Sequence, residues 1–210
     1  MDKARIAFRF GHYGDCYHGS QVQPDVPTVQ GEFMHIFKKK LKWTKERMPV
    51  PMASRTDSGV HVRQNGGFID IDQNRWDAMG EIGFMKAVGH QIPDSITLID
   101  AMQVDGEWSP RRALHRTYRY RLECMEGWVD PNPEDFEHLC SLFEGEHDWD
   151  NFCRRETNRS TTRVVESCRP WVNSGRIVGF EIVGEAFIWN QVRRIANAIF
   201  AVTTNYESID

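Results

Sequence analysis

The sequence predicts an α+β protein made of two ferredoxin-like (split β-α-β) halves with a mainly antiparallel sheet. Three observations lead there. Segments of period two and segments of helical period follow one another as β-α-β-β-α-β over residues 4–104. The same order restarts at Arg116 with its last strand absent, so the second half is expected to be truncated. No low-complexity linker interrupts the 210 residues.

The elements can be justified in turn. "ARIAFRFGH" (4–12) alternates apolar and polar residues and reads as a strand. A turn-rich loop follows, after which Thr28 can cap a helix in which Val29, Phe33, Phe37 and Leu41 recur near the helical period. "MPVPMAS" (48–54) is expected as a short strand limited by its prolines, and "GGFIDID" (66–72) as another. "DAMGEIGFMKAVGH" (77–90) reads as a helix and "ITLIDAMQV" (96–104) as the strand that closes the first half. In the second half "RTYRYRLEC" (116–124) is a strand, and "PEDFEHLCSLFEG" (133–145) is a helix with Phe136, Leu139, Cys140 and Phe143 on one face. "TRVVESCRPW" and "RIVGFEIVG" form a hairpin around Asn173, Ser174 and Gly175, and "NQVRRIANAIFAV" (190–202) is the last helix. Composition places the boundary near "VDGEWSPRR", giving halves of residues 1–105 and 106–210.

A hydrophobic content of 40% is ordinary for a globular core. The charged, alternating start "MDKARIAFRF" lacks a signal-peptide core, and no apolar run reaches the ~20 residues of a spanning helix, so a cytoplasmic protein without a membrane partner is expected. Five cysteines with no CxxC pair indicate neither a disulfide framework nor a zinc ribbon. The net charge of -4 argues mildly against bulk electrostatic binding of nucleic acid. Positive charge is nevertheless concentrated in residues 38–47, 111–121 and 154–163, which leaves room for a local basic surface. The eight histidines, including those in "HVRQ", "EHD" and "GHY", fit no common zinc template, so no metal site is expected.

The chemistry-bearing stretch is "SRTDSGVH" (54–61), on the connection between two strands. Asp57 can close a turn there, or Arg55 and Gly59 can present its carboxylate to a ligand. On the strand from Arg116, the period of two puts Arg116, Tyr118 and Tyr120 on one face, which suits base stacking with phosphate contact and equally suits a half-buried strand. Arg193 on the last helix can point into a cleft or into water.

"SRTDSGVHV" resembles the catalytic signature of the tRNA pseudouridine synthase A family, an Arg-Thr-Asp-x-Gly-Val-His stretch. Four further motifs follow the family order: "YHGSQVQPDVPTVQG" (17–31), "HRTYRYRLE" (115–123), "GEHDWDNF" (145–152) and "AFIWNQVRRI" (186–195). The resemblance implies conversion of uridine to pseudouridine in the tRNA anticodon stem-loop, without a cofactor, in a cleft between the halves of a homodimeric enzyme. It implies Asp57 as the nucleophile, Tyr118 as the ring that stacks on uracil and relays a proton, and Arg193 as the partner that keeps Asp57 ionised. Arg55, Gln21 and Arg116 become RNA contacts, while His61 and Gly59 shape the loop. Three departures stand out. The family's Gly-Trp-Gln is Gly19-Ser20-Gln21, its small glycine near the last motif is Asn197, and its C-terminal helix and strand have no counterpart. A noncatalytic RNA-binding module of the same fold is the alternative, and a metal-dependent hydrolase a remoter one.

Overall fold

The structure, a computed structural model, describes residues 2–44, 50–155, 157 and 159–204. Two compact units divide the chain, residues 1–112 and 113–210.

The first unit is organised by β1 (Lys3–His12), which lies between β2 (Val62–Asp72) and β3 (Ile96–Val104) in an antiparallel sheet of order β2-β1-β3. Alternation along β1 explains its two faces. Ala4, Ile6, Phe8 and Phe10 are buried, while Arg5 and Arg9 stand directly opposite Asp70 and Asp100 in the neighbouring strands and pair with them. On the buried side lies α1 (Val29–His35), started by the Thr28 hydroxyl, which accepts from the Gly31 N–H at 3.2 Å. The helix widens into a π turn over Ile36–Lys40, which keeps Ile36 and Phe37 in the core. Phe8, Phe10, Phe33, Phe37 and Phe84 form one aromatic cluster, its closest pair, Phe10 and Phe33, having centroids 4.8 Å apart.

One expected strand is reduced. Of "MPVPMAS", Met48 and Pro49 lie outside the described residues, and the rest makes only an isolated antiparallel bridge, Met52 to Gly67. Pro51 has no N–H to extend a ladder, so pairing stops at one residue. The bridge still lies beside β2, the place that the second strand of a split β-α-β unit takes. The helix expected over 77–90 is α2 (Gln73–Gly89); it starts earlier and is divided by non-helical Gly80. After β3 the chain folds back on the first sheet: Arg5 NH1 donates to the Trp108 carbonyl at 3.0 Å, Trp108 meets Phe68 edge to face, and Pro110 is buried.

The second unit has its own antiparallel sheet, β4-β7-β6-β5, formed by β4 (Arg116–Arg121), β5 (Gly145–Asp148), β6 (Thr162–Asn173) and β7 (Arg176–Gly184). The β6–β7 hairpin turns at Ser174 (φ 50°) and Gly175 (φ 79°), the paired left-handed residues that match strand twist. β5 was not expected. All four of its residues are exposed, so it carries no apolar alternation to read. Against the sheet pack α3 (Pro133–Ser141), capped by Asn132, and α4 (Gln191–Thr203), around a core of Leu122, Phe136, Phe180, Ile182, Ile195 and Ile199. Cys140, Cys153 and Cys168 are buried thiols. Among the described residues no helix is long and apolar enough to cross a membrane.

Candidate active site

The loop that leads from the Met52 bridge into β2 carries "SRTDSGVH", and short-range hydrogen bonds fix its course. Asp57 is exposed, and its carbonyl accepts from the Val60 N–H at 3.3 Å, closing a turn over Ser58 and Gly59. Gly59 has φ 79°, which a side chain would strain, and this explains the glycine two places after the acid.

Two residues hold the chain just before the acid. Asn65 on β2 is 5% exposed; its amide accepts from the Ser54 N–H at 3.2 Å and donates to the Ser54 carbonyl at 2.9 Å, imitating a strand partner. Ser20, from the loop after β1, holds Thr56 in the same manner. The Ser20 N–H donates to the Thr56 carbonyl at 3.0 Å, and the Ser20 hydroxyl accepts from the Thr56 N–H at 2.8 Å. Residues 54 and 56 are thus secured by two different segments, β2 and the loop after β1, and Asp57 is the first residue beyond them.

The first loop is ordered by its own glutamine. Gln30 accepts from the Val22 N–H at 3.1 Å and donates to the Val50 carbonyl at 2.8 Å, while its N–H donates to the Ser20 carbonyl at 2.9 Å. Gln21 and Arg55 are exposed, each next in sequence to one member of the Ser20–Thr56 pair. His61 accepts at Nδ1 from the Gly14 N–H at 3.3 Å, with Nε2 3.6 Å from an Asp15 carboxylate oxygen. Beneath this corner lies His12, 6% exposed, stacked near Phe10 and edge-on to Tyr17. Burial holds its pKa below the ordinary 6.5; the Tyr13 backbone opposes that shift and nearby His61 adds to it.

In the second unit, Tyr118 is half-buried on β4 with its ring edge-on to Phe187 at 5.2 Å. Arg116, two residues earlier, donates through NH1 to the carbonyls of Ala113, at 3.1 Å, and Glu185. The start of β4 and the segment before α4 therefore meet. Gln191 is fully buried and caps that segment by accepting from the Ile188 N–H at 2.9 Å. Arg193 is exposed on the first turn of α4. Sequence reasoning did not single out Asn65, Gly14 or Gln191 and treated Ser20 only as a departure, since a short polar or small residue in a loop has no periodicity that marks it.

Among the described residues no three His, Cys, Asp or Glu side chains are arranged to hold a metal ion. What the loop can offer chemically is a carboxylate at the surface on a backbone fixed by neutral hydrogen bonds.

Comparison with known proteins bears on this arrangement. A family model described as tRNA pseudouridine synthase matches residues 139–210. The chain is 33% identical over 199 residues to tRNA pseudouridine synthase A of Methanopyrus kandleri, covering 94% of this chain and 71% of that protein. It is 30% identical over 208 residues to tRNA pseudouridine synthase A of Archaeoglobus fulgidus, covering 98% and 72%. The protein of the same name from Methanosarcina barkeri is 27% identical over 208 residues, covering 98% and 73%.

Proposed function

The chain belongs to the tRNA pseudouridine synthase A family, an isomerase family, and from that premise we propose that it converts uridine to pseudouridine in tRNA with Asp57 as the reacting carboxylate. The reaction breaks the N1–C1′ bond of the nucleotide and forms a C5–C1′ bond. The C5 proton leaves to solvent and N1 ends with a proton, so composition and oxidation state are unchanged. An ionised carboxylate serves this by attacking C1′ or by stabilising positive charge there. The observation that carries the reading is the exposed Asp57 on a loop whose two preceding anchor points are fixed by Asn65 and Ser20. A fixed nucleophile and a target nucleotide turned out of its stack are both required.

Arg55 is proposed to help extrude the nucleotide, and Gln21 and Arg116 to contact RNA. Tyr118 is proposed to serve the reaction through its ring and Arg193 through its charge. Uridines of the anticodon stem-loop are the proposed targets, and a cytoplasmic homodimer the proposed working form; motif resemblance supports these finer points. The test is tritium release from tRNA labelled at uracil C5, with Asp57→Ala alongside and the product sites mapped. Release by the parent and none by the variant is expected. tRNA binding without release by either protein would replace this reading with that of an RNA-binding module.

A further inference from the structure

We infer that Ser20 is a positioning residue for Asp57: it sets the rate of the reaction by holding Thr56 and takes no part in holding tRNA. The inference rests on the role of Asp57 proposed above. Ser20 is 1% exposed, so it cannot touch a bound RNA in this conformation. Its hydrogen bonds go to the main chain of the protein, the hydroxyl also donating to the Thr56 carbonyl at 3.4 Å. Its N–H donates to the Thr56 carbonyl at 3.0 Å, its hydroxyl accepts from the Thr56 N–H at 2.8 Å, and its carbonyl accepts from the Gln30 N–H at 2.9 Å.

The hydroxyl matters because of what it can accept. A Thr56 N–H enclosed against this loop needs an acceptor, and a hydroxyl oxygen supplies one. The tryptophan that the family motif carries at this place has a ring N–H that only donates, so it could not replace that bond. Serine at this position therefore fixes the loop by a bond that tryptophan could not make. The fit is close. Gly19 lies so near that a Cβ there would be 2.9 Å from the Thr56 carbonyl oxygen and 3.4 Å from the Asp57 carbonyl carbon. Removing the hydroxyl leaves the Thr56 N–H without its acceptor and Thr56 tied to Ser20 through its carbonyl alone, and a misplacement of about 1 Å can lower a rate about a hundredfold.

Ser20→Ala, Ser20→Cys and Asp57→Ala are compared with the parent in three measurements: single-turnover tritium release, tRNA binding, and amide hydrogen exchange. The expected result is a ten- to hundredfold slower release for Ser20→Ala and a smaller loss for Ser20→Cys, whose thiol is a weak acceptor, with tRNA affinity within about twofold of the parent for both. Exchange should quicken in residues 53–58 and stay unchanged in β1. A parent-like rate in Ser20→Ala, with Asp57→Ala inactive, overturns the inference and leaves the catalytic reading standing. Equal losses in β1 protection or in affinity also overturn it, since Ser20 would then be merely structural. Release by Asp57→Ala, or none by the parent, sinks the catalytic reading and this inference with it.

Discussion

Gly14→Ala tests whether the Asp57 loop is held by close packing. Gly14 begins a short turn over Gly14–Cys16 that packs against the Asp57 turn at Gly59 and Val60. A Cβ added to it would lie 2.4 Å from the Val60 carbonyl carbon, 2.5 Å from the Gly59 carbonyl carbon and 2.5 Å from the Val60 carbonyl oxygen. All three are backbone atoms, so no side chain can swing aside. Ordinary contact begins at 3.4 Å, so one partner must retreat by about 1.0 Å, the difference between 3.4 and 2.4 Å. The Gly14 side is pinned. Tyr13 N–H donates to the Ser95 carbonyl at 2.9 Å, the Tyr17 hydroxyl meets the Ser95 hydroxyl at 2.8 Å, and Tyr17 N–H donates to the Gly14 carbonyl at 2.9 Å. The Asp57 turn is tied to this segment by longer bonds, from the Ser58 hydroxyl to the Tyr17 carbonyl at 3.4 Å and from the Gly14 N–H to His61 Nδ1 at 3.3 Å, and should yield. The expected outcome is a kcat for tritium release about a hundredfold lower, at an overpacking cost of about 1–3 kcal/mol. Thermal unfolding should fall by about 2–4 °C per kcal/mol for a chain of this size. Gly89→Ala, with nothing within 4 Å of its added Cβ, is the control and should leave both unchanged. A Gly14→Ala protein with the parent's kcat would refute the argument, because it would show that the loop tolerates this displacement or that Asp57 need not be fixed.

Three further outcomes are expected. The folded pKa of His12 is depressed by burial, so below 6.5 the unfolded chain takes up its proton first; stability present above that pH is lost as pH falls toward the folded pKa. Replacing the ring by His12→Phe should flatten denaturant-measured stability in that window relative to the parent, whose extra slope is at most about 1.4 kcal/mol per pH unit for this one proton. Arg5 holds Asp70 through Nε at 2.8 Å and NH2 at 2.9 Å and covers the Phe68 ring at 4.0 Å, so Arg5→Met should cost about 1–3 kcal/mol in chemical denaturation while leaving tRNA affinity unchanged. Gly179→Ala would put a Cβ 1.9 Å from the Tyr120 carbonyl oxygen and should separate β4 from β7, read as faster amide exchange in residues 116–121.

The parts of the fold that were legible are those whose side chains face one core. β1 announces itself because Ala4, Ile6, Phe8 and Phe10 alternate with charged or small residues, and the opposing Arg5 and Arg9 find acids across the sheet. The β6–β7 hairpin is legible for a different reason, since Ser174 and Gly175 tolerate the backbone that its turn requires. β5 escaped because an edge strand with four exposed residues buries nothing and leaves no apolar alternation to read. "MPVPMAS" misled because alternation is indifferent to whether each residue has an N–H to give. At the site, the "RTDSGVH" stretch was readable as a motif, but its supports were not. Asn65 lies inside a strand where the pattern asks for an apolar residue, and Ser20 and Gly14 act through a hydroxyl and through the lack of a side chain.

Those supports have a property in common that bears on how the enzyme's pH dependence should be read. Asn65, Ser20, Gln30 and Gly14 are neutral and do not titrate near neutral pH, so the hydrogen bonds that secure residues 54 and 56 are the same across that range. Changes in rate between pH 7 and 9 therefore report groups that act on the nucleotide, with the scaffold constant. His61 belongs to the same scaffold as an acceptor: its Nδ1 takes the Gly14 N–H at 3.3 Å, at the point where Gly14 presses on the Asp57 turn. His12 lies one layer deeper and resists charging because it is buried. His61→Gln keeps an amide oxygen that can accept from Gly14 and should retain the parent's rate of tritium release, whereas His61→Leu removes the acceptor and should slow release. Equal rates in the two variants would show that this bond does not fix the loop.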